Sequence, residues 1–402
     1  MPNNLNAITV SICFTNFGPY HLARLRALAR SLHDRGGRLI GFELAGEERL
    51  YPWTTSRADE PFEWVTLFPD DAVESIPPAA CVDAIEAALE RSRPDVVGIV
   101  GYARPESTAA LRWARRRGKV AILLSESQAV DRPRVWWKEA LKARRVRRFD
   151  AALVGGPTHR DYLVGLGMPS SRVALGYNVV DHDFFAARAR SARSLDDRAG
   201  IPDKPYFLSV SRFASEKNLL TLIDAYAAYR RSVGREDSWR LVLCGDGPER
   251  PAIEAVIDRA GCRESIVLPG FLQADALTRW YAFASAFVLA SRSEPWGLVV
   301  NEAAAAALPL LISDRAGCAG TLVVEAGENQ TGRRFDPTRA ASIADALAWM
   351  SSLTAEQRLI LGQNAERVAS SWGPARFASG MLEAVARARR SAVEDVPALS
   401  CT

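Results

Sequence analysis

Short apolar, β-branched runs alternate with amphipathic helical segments along most of the chain. This alternation is typical of parallel βαβ units whose sheet is covered on both faces. In the first half the predicted strands are Ile8 to Phe14, Arg38 to Leu44, Asp95 to Val100, Val120 to Leu124 and Ala151 to Val154. In the second half they are Tyr206 to Val210, Arg240 to Cys244, Ile266 to Leu268, Ala286 to Ala290 and Pro309 to Ile312. The pattern therefore predicts an α/β protein with two doubly wound sheets.

The stretch between Tyr177 and Lys204 interrupts this alternation, because it is rich in charge, carries no apolar strand and ends near two prolines. It predicts a first domain at 1–185, a linker at 186–204 and a second domain at 205–370. Residues 371–390 are predicted to form a C-terminal helix that can pack back on the first domain, before a frayed tail at 391–402. Two such domains place a cleft between the carboxyl ends of two parallel sheets, where doubly wound folds bind ligands.

Composition narrows the class of ligand. The 402 residues include 51 basic and 47 acidic side chains, a net charge of +4, which argues against a surface built to bind nucleic acid. The six cysteines lie far apart without a Cys-x-x-Cys pair, a pattern typical of a reduced, cytoplasmic protein. The longest uncharged apolar run is short, and the N-terminus enters a strand at once. We therefore expect neither a transmembrane span nor an export signal.

The segment "SRSEPWGLVVNEAAAA" carries two glutamates around the start of a predicted helix. Glu294 lies in the loop after a strand, and Glu302 lies about one and a half turns inside a helix that begins at the Pro-Trp-Gly turn. The amides of Gly297, Leu298 and Val299 in the first turn form an anion site. Carboxylates on both sides of a bound diphosphate can accept hydrogen bonds from a ribose and from a sugar. The alternative is that both glutamates favour the helix dipole or face solvent.

The segment "SRFASEKN" places Arg212 and Lys217 in the loop after the first strand of the second half. Two cations at the carboxyl end of a strand can neutralise a diphosphate leaving group. The alternative is that they form surface salt bridges, for example with Glu216.

These motifs, with "LCGDGPE", "LPGF", "SDRAGCAGTLV" and "GENQTGRRFDP", resemble the second domain of glycosyltransferase family 4, retaining group 1 enzymes of the GT-B fold. The resemblance is strong from Tyr206 to Pro337. It is weaker in the first half, where "NFGPYHLARL" and the hinge-like "GYNVVDHDFF" carry it. It implies two Rossmann-like domains that face each other across a cleft, the first on the acceptor side and the second binding a nucleotide sugar.

The resemblance also implies roles for individual residues. Glu294 is expected to touch the donor sugar, Glu302 to hold the ribose hydroxyls, and Arg212 and Lys217 to bind the phosphates. Further donor contacts are expected from the amides of Gly297, Leu298 and Val299, from the turn of Gly270, Phe271 and Leu272 that lines the base, and from Gly18, which lets the phosphates approach closely.

The first domain departs from the family pattern. Many relatives carry a histidine at the end of the fourth or fifth strand, where this chain has "LLSESQ" with Glu126 and Gln128. Together with His21 at the start of the first helix, these residues are the acceptor-side candidates. The alternative for His21 is a structural or solvated side chain.

The "DHD" of Asp181 to Asp183 imitates a metal chelate of another glycosyltransferase class. It lies in the predicted hinge, and Arg212 with Lys217 already supplies positive charge, so we expect no metal and no other cofactor. "GDGPER" lacks the third glycine of a dinucleotide loop, and neither a P-loop nor a Gly-x-Ser-x-Gly motif occurs. Dehydrogenases, P-loop kinases and serine hydrolases are therefore disfavoured.

From Arg112 to Arg148 there are thirteen basic and three acidic residues, and Trp136 and Trp137 lie within this segment. Such a segment can hold a protein at an anionic membrane that carries a lipid-linked acceptor. The alternative is an ordinary solvated pair of helices in an arginine-rich protein.

Taken together, the sequence predicts a retaining glycosyltransferase that moves a hexose-type sugar from a UDP or GDP donor to an acceptor hydroxyl. The acceptor is a sugar, a lipid-linked sugar or a small molecule of polysaccharide, glycolipid or glycoconjugate synthesis. The expected location is cytoplasmic, with peripheral contact to the inner face of the membrane as an option. An epimerase or hydrolase of the same fold, or a non-catalytic nucleotide-sugar-binding subunit, remains as an alternative.

Overall fold

The computed structural model describes residues 6–48, 59–131 and 134–394, with side chains up to residue 390. These residues form two compact units by their internal contacts. The first unit holds residues 6–129, 134–180 and 374 onward, and the second holds 181–373 together with residues 130 and 131. Each unit has a parallel sheet and is described below by itself.

The described residues of the first unit form a sheet of seven parallel strands in the order β3-β2-β1-β4-β5-β6-β7. Its strands are β1 Thr9–Phe14, β2 Arg38–Glu47, β3 Glu63–Ala72, β4 Val96–Val100, β5 Val120–Ser125, β6 Ala151–Val154 and β7 Val173–Leu175. Its helices are α1 Pro19–His33, α2 Pro78–Ser92, α3 Pro105–Arg116, α4 Trp136–Val146, α5 Pro157–Gly165 and the C-terminal α14 Pro374–Glu394.

The core of the first unit forms around its central strands. Val10 and Ile12 on β1 have no exposed surface, since the strand is covered on both faces. On one face, α1 and α14 pack against these strands through apolar stripes at helical spacing. On the other face, α2 and α3 cover a second buried cluster.

Strands β3 and β7 were not predicted from the sequence, and both lie at the edges of the sheet. The apolar residues of β3 are only partly buried, and Pro69 and two acidic residues follow them. β7 has three residues. Edge strands need less continuous apolar sequence than central ones, so neither gives a clear pattern.

The described residues of the second unit form a sheet of six parallel strands in the order β10-β9-β8-β11-β12-β13. Its strands are β8 Tyr206–Val210, β9 Arg240–Cys244, β10 Ile266–Gly270, β11 Ala286–Leu289, β12 Leu310–Ser313 and β13 Gly332–Phe335. Its helices are α6 His182–Ser194, α7 Leu219–Val233, α8 Arg250–Arg259, α9 Ala274–Phe283, α10 Leu298–Ala305, α11 Ala319–Leu322, α12 Ala340–Ser352 and α13 Ala355–Ser370. The predicted α/β class with two doubly wound parallel sheets is confirmed.

The predicted linker at 186–204 differs from the structure over residues 186–194, which are helical. Residues up to Ser194 belong to α6, and the second unit already begins at residue 181. Phe185, Ala186 and Ala189 are buried, and the guanidinium of Arg193 donates to two backbone carbonyls of the same unit. The sequence conceals this helix because its apolar stripe is made of alanines spaced between arginines. The C-terminal α14 belongs to the first unit, and residues 395–402 of the predicted tail lie outside the described residues.

Both sheets contain a point where the order of the strands reverses. β1 lies between β2 and β4, and β8 lies between β9 and β11. Ligands of doubly wound sheets bind at the carboxyl ends of the strands that flank such a point. Along the part of the chain that the structure describes, no helix has both the length and the apolar character needed to cross a bilayer.

Candidate active site

The predicted donor-side residues lie at the carboxyl edge of the second sheet. Arg212 and Lys217 follow β8, and Glu294 follows β11, which pairs with β8. Because these strands are neighbours, their loops meet at the point where the strand order reverses. The structure therefore brings Glu294 to the loop that carries Arg212 and Lys217.

Lys217 and Glu294 form an ion pair. Lys217 Nζ lies 2.6 Å from Glu294 Oε2, and the same oxygen accepts a hydrogen bond from Ser291 Oγ at 3.0 Å. The two charged side chains are 18% and 10% exposed, so water screens the pair only partly. The ammonium of Lys217 thus has a counter-ion within the protein.

Arg212 pairs with a different carboxylate. Its Nη2 lies 2.7 Å from Glu216 Oε1, which is the salt bridge that the alternative interpretation expected. Burial would raise the pKa of the Glu216 carboxyl, but hydrogen bonds from its own backbone and from Arg212 bring it below its ordinary value. The Nε of Arg212 is buried and has no hydrogen-bond partner among the described residues. The guanidinium therefore retains a donor for an anionic ligand.

The turn that is predicted to bind an anion differs from the sequence prediction in one respect, since α10 begins at Leu298 and not at the Pro-Trp-Gly turn. Gly297 precedes the helix in the left-handed region at φ +98°, where a Cβ would lie 3.1 Å from the Leu289 side chain. Both facts favour glycine at this position. The first hydrogen bond of the helix joins the amide of Val300 to the carbonyl of Gly297, at 2.9 Å. The amides of Leu298 and Val299 thus precede the helical ladder, as anion binding requires.

Buried side chains hold this turn in place. Trp296 is 1% exposed, and its Nε1 donates to Asn301 Oδ1 at 2.8 Å. The carbonyls of Glu294 and Trp296 accept hydrogen bonds from the amides of Gly317 and Cys318. The turn is therefore fixed from both sides before any ligand arrives.

Glu302 lies in the second turn of α10 and is 1% exposed. Its Oε2 accepts a hydrogen bond from the hydroxyl of Tyr281 at 2.7 Å. The carboxylate is oriented by protein and does not face bulk solvent, contrary to the solvated alternative. Its predicted role at the ribose stays a prediction.

The predicted base-lining turn follows β10 at the same edge of the sheet. Gly270 has a φ of +84°, and the side chain of Phe271 is 46% exposed, while Leu272 is partly buried. β10 lies two strands from β8, a separation of about 10 Å at the usual strand spacing. The predicted role of this turn at the nucleobase stays a prediction.

In the first unit, Gly18 and His21 form the cap of α1. The amide of Gly18 donates to Nδ1 of His21 at 3.2 Å, and the imidazole ring lies 4.3 Å from the ring of Phe14. Gly18 has φ −82° and ψ 174°, which any residue can adopt. The backbone conformation therefore does not itself require glycine here, and the predicted close approach of phosphates stays a prediction.

Glu126 and Gln128 follow β5 in the first unit. Glu126 Oε1 accepts a hydrogen bond from Asn178 Nδ2 at 2.8 Å, which ties the loop after β5 to the loop after β7. Gln128 is buried, and its backbone carbonyl accepts a hydrogen bond from Arg134. Their acceptor-side roles stay predictions.

Sequence reasoning missed Glu43, which lies in β2 and is 2% exposed. Its carboxylate accepts hydrogen bonds from Trp64 Nε1 at 2.7 Å, from Thr66 Oγ1 at 2.6 Å and from the amide of Phe17 at 3.1 Å. The last of these holds the loop that carries Gly18. A lone acid within the apolar strand "LIGFELA" is the signal that could have revealed it.

The "DHD" segment serves as a helix cap. Asp181 Oδ1 accepts the amide of Phe184 at 3.1 Å at the start of α6, while Asp183 points into solvent. A capping aspartate is a common helix signal, which accounts for the motif without a metal. Within the described ranges, no group of three or more His, Cys, Asp or Glu side chains is arranged to hold a metal ion.

Comparison with known proteins defines first the fold and then the family relationship. A solved glycosyltransferase from Rickettsia africae superposes with a TM-score of 0.70 at 13% identity, over 96% of this chain and 99% of the other. This confirms the predicted GT-B fold. The family model "Glycosyl transferases group 1" matches residues 193–368. The predicted resemblance to group 1 glycosyltransferases is thus confirmed for these residues.

Curated relatives match over a similar part of the chain. Alpha-D-kanosaminyltransferase of Streptomyces kanamyceticus is 32% identical over 181 residues, 45% of each chain. Alpha-monoglucosyldiacylglycerol synthase of Acholeplasma laidlawii is 30% identical over 125 residues, 31% of each chain. This chain therefore spans less than half the length of these relatives.

Proposed function

We propose that the protein is a glycosyltransferase that moves a hexose-type sugar from a nucleoside diphosphate sugar to an acceptor hydroxyl. The observation that carries the proposal is the cluster of Arg212, Lys217 and Glu294 beside the N-terminus of α10. The match of residues 193–368 to group 1 glycosyl transferases supports it. Family 4 membership, retention at the anomeric carbon and a UDP or GDP donor are part of this proposal.

The cluster suits a departing diphosphate. The buried Nε of Arg212 and the amides of Leu298 and Val299 supply hydrogen-bond donors for phosphate oxygens. The ammonium of Lys217 can turn from Glu294 to the diphosphate when the donor binds. Glu294 is then released toward the sugar, where its negative charge stabilises positive charge that develops at the anomeric carbon.

The proposed course of the reaction depends on the cations of the cluster. The donor bond loosens toward an oxocarbenium-like state while the cations stabilise the leaving group. We propose front-face attack by the acceptor hydroxyl, with the leaving phosphate oxygen taking its proton. Arg212 and Lys217 supply the charge that a bridging metal would otherwise bring, so the proposed reaction needs no divalent ion.

The test is incubation of the full chain with radiolabelled UDP- and GDP-hexoses and a panel of acceptors. Label in a new glycoside supports transfer, and the anomeric configuration of that product tests retention. Free labelled sugar indicates a hydrolase, and an altered donor indicates an epimerase. Binding without any turnover indicates a regulatory nucleotide-sugar-binding subunit.

We further propose peripheral binding to an anionic membrane through α4. Trp136, Trp137 and Leu141 are 82%, 48% and 51% exposed, an unusual density of large apolar side chains on one helix. Exposed arginines follow them toward its end, namely Arg144, Arg145, Arg147 and Arg148. Aromatic insertion beside cations is the chemistry of an interfacial helix. One relative is named for a glycosylated diacylglycerol, which is consistent with a lipid acceptor.

A further inference from the structure

Trp372 lies where the chain leaves the second unit. It follows α13, and its amide donates to the carbonyl of Ala369 at 2.8 Å. Residue 373 is the last of the second unit, and α14 from Pro374 onward belongs to the first. Trp372 is nonetheless buried, with 9% of its surface exposed. A large aromatic side chain is thus held inside the second unit at the last turn before the chain leaves it.

The ring of Trp372 packs on the ring of Trp296. Their centroids lie 5.2 Å apart, and their planes are tilted by 38°. Trp296 is the more deeply buried of the two, at 1% exposure, and its Nε1 donates to Asn301 Oδ1 at 2.8 Å. Aromatic pairs at this distance attract each other beyond the gain from burial. The indole of Trp296 is therefore held on its ring by Trp372 and at its nitrogen by Asn301.

The two rings lie apart from the main apolar core of the second unit. Among the described residues, that core forms around β8, β9 and α7 and contains neither tryptophan. Trp239 does lie within it, is 7% exposed and packs with its ring 4.8 Å from the ring of Phe207. A substitution at Trp372 should therefore act mainly on what Trp296 holds, whereas a substitution at Trp239 should act on the unit as a whole.

Asn301 shows that the orientation of the Trp296 indole is fixed by α10. Asn301 is 1% exposed, and its Nδ2 has no hydrogen-bond partner among the described residues. Burying an amide costs free energy unless it is hydrogen-bonded, and the bond from Trp296 Nε1 offsets that cost. Leucine has a similar volume and would fill the same space without this bond. The polar side chain at this position therefore acts through Trp296.

The backbone of Trp296 lies in the turn before α10. The carbonyl of Trp296 accepts a hydrogen bond from the amide of Cys318 at 3.1 Å, and the carbonyl of Glu294 accepts one from the amide of Gly317 at 3.0 Å. Gly297 follows at φ +98°, and glycine restricts the backbone less than any other residue. The conformation of the turn therefore depends on restraints outside Gly297. The anchored side chain of Trp296 supplies one of them.

We propose that Trp372 and Asn301 are positioning residues for the nucleotide-sugar donor. They fix the indole of Trp296, and Trp296 keeps the turn before α10 in the conformation that presents the amides of Leu298 and Val299 to a diphosphate. Neither Trp372 nor Asn301 touches the substrate. The inference rests on the proposed function, because it assigns this turn to the donor. Order in the turn before the donor arrives lowers the entropy cost of binding.

Two substitutions release Trp296 without changing the turn itself. Trp372→Leu removes the ring contact but keeps an apolar side chain, and Asn301→Leu removes the hydrogen bond at similar volume. Trp372→Phe keeps an aromatic ring against Trp296 and is the conservative variant that should restore wild-type behaviour. Trp239→Leu is the matched control, because it shrinks a tryptophan of similar burial at the amino end of β9, on the opposite edge of the sheet from the turn.

Hydrogen exchange measures the order of the turn without any ligand. The amides of Val300, Gly317 and Cys318 donate to carbonyls of the turn, so they are protected while it keeps its conformation. At a temperature where every variant is folded, these amides should exchange about three- to tenfold faster in Trp372→Leu and in Asn301→Leu than in wild type. In Trp372→Phe they should stay within about twofold of wild type. Trp239→Leu should affect them no more than other amides of the unit.

Calorimetry with UDP and GDP measures the consequence for binding. Trp372→Leu and Asn301→Leu should bind the better nucleotide about two- to tenfold more weakly than wild type, because binding selects the ordered turn and the ordered fraction is smaller. Trp372→Phe should bind it within about twofold of wild type. Trp239→Leu should bind it as wild type does, even though its unfolding temperature falls.

Unchanged exchange at the three amides in both leucine variants overturns the proposal, and so does faster exchange with wild-type nucleotide affinity. Equal acceleration in Trp239→Leu, or a Trp372→Phe variant that behaves like Trp372→Leu, also overturns it, because general loss of stability would then explain the effect. If wild type binds neither nucleotide, the proposed function fails, and exchange still decides whether Trp372 and Asn301 order the turn. If Glu302→Gln weakens nucleotide binding while both leucine variants bind as wild type, only the positioning role fails.

Discussion

The ion pair between Lys217 and Glu294 makes Glu294→Gln the most informative substitution. Glutamine keeps the size of the side chain but removes the charge that now lies 2.6 Å from Lys217 Nζ. Under the proposed function, the ammonium of wild type gives up part of its contact with this carboxylate when it binds a diphosphate. In the variant it has no such competitor, so bare UDP or GDP should bind at least as tightly as to wild type.

The magnitude follows from the burial of the pair. A hydrogen bond between charged groups contributes about 1.5–3 kcal/mol, and the exposures of 18% and 10% mean that screening removes only part of it. If about half of that cost is relieved, nucleotide affinity rises by up to about tenfold. Turnover with the full donor should fall by about 100-fold or more, because the charge that stabilises the developing cation is gone.

Calorimetry with bare nucleotide and initial rates with the full donor test both halves of the prediction. Thermal unfolding checks that the variant is folded. Glu302→Gln is the matched control, since it removes a carboxylate from the same helix region but should weaken binding of both nucleotide and donor. If Glu294→Gln weakens binding of bare nucleotide as much as Glu302→Gln does, the assignment of Glu294 to the donor sugar is wrong.

Four further predictions concern other parts of the chain. Gly297→Ala should destabilise the protein by about 1–2 kcal/mol because its left-handed backbone disfavours a Cβ, and urea unfolding measures this; an unchanged stability would show that the turn relaxes freely. Burial and the nearby Arg24 lower the pKa of His21 to about 3 in the folded protein, so the unfolded chain binds more protons than the folded chain between pH 3 and 6.5. The free energy of unfolding should therefore fall more steeply from pH 7 to pH 6 and pH 5 for wild type than for His21→Gln, by up to about 1.4 kcal/mol per pH unit. Parallel curves would show that folding does not lower the pKa of His21. Activity should persist in EDTA; loss of activity that manganese or magnesium restores would instead support a metal site at the "DHD" segment. Asp181→Ala should lower the stability by about 1 kcal/mol, because it removes a helix cap, without creating a metal requirement. The double variant Trp136→Ala, Trp137→Ala should no longer sediment with phosphatidylglycerol vesicles at low salt. Equal binding of wild type and variant would contradict the proposal that α4 binds the membrane.

The sequence alone determined the features that depend on local order along the chain. Central strands are buried on both faces, so their apolar runs are continuous and could be located to within a residue or two, as at Tyr206–Val210 and Arg240–Cys244. The turn before α10 was equally visible, because Glu294, Gly297 and Glu302 lie within a few residues of each other, on one loop and one helix. The conformation of such a turn depends mainly on hydrogen bonds and backbone preferences of residues close in sequence, so it can be predicted without the rest of the fold.

Only the tertiary structure decided which distant side chains meet. Lys217 and Glu294 are 77 residues apart, and only the pairing of β8 with β11 brings their loops together. Glu43 accepts hydrogen bonds from residues on β3 and on the loop after β1. The sequence of its own strand does not indicate these partners. The edge strands and α6 likewise owe their conformation to what they pack against, since weak local patterns become stable only when a neighbouring sheet or helix buries their few apolar side chains.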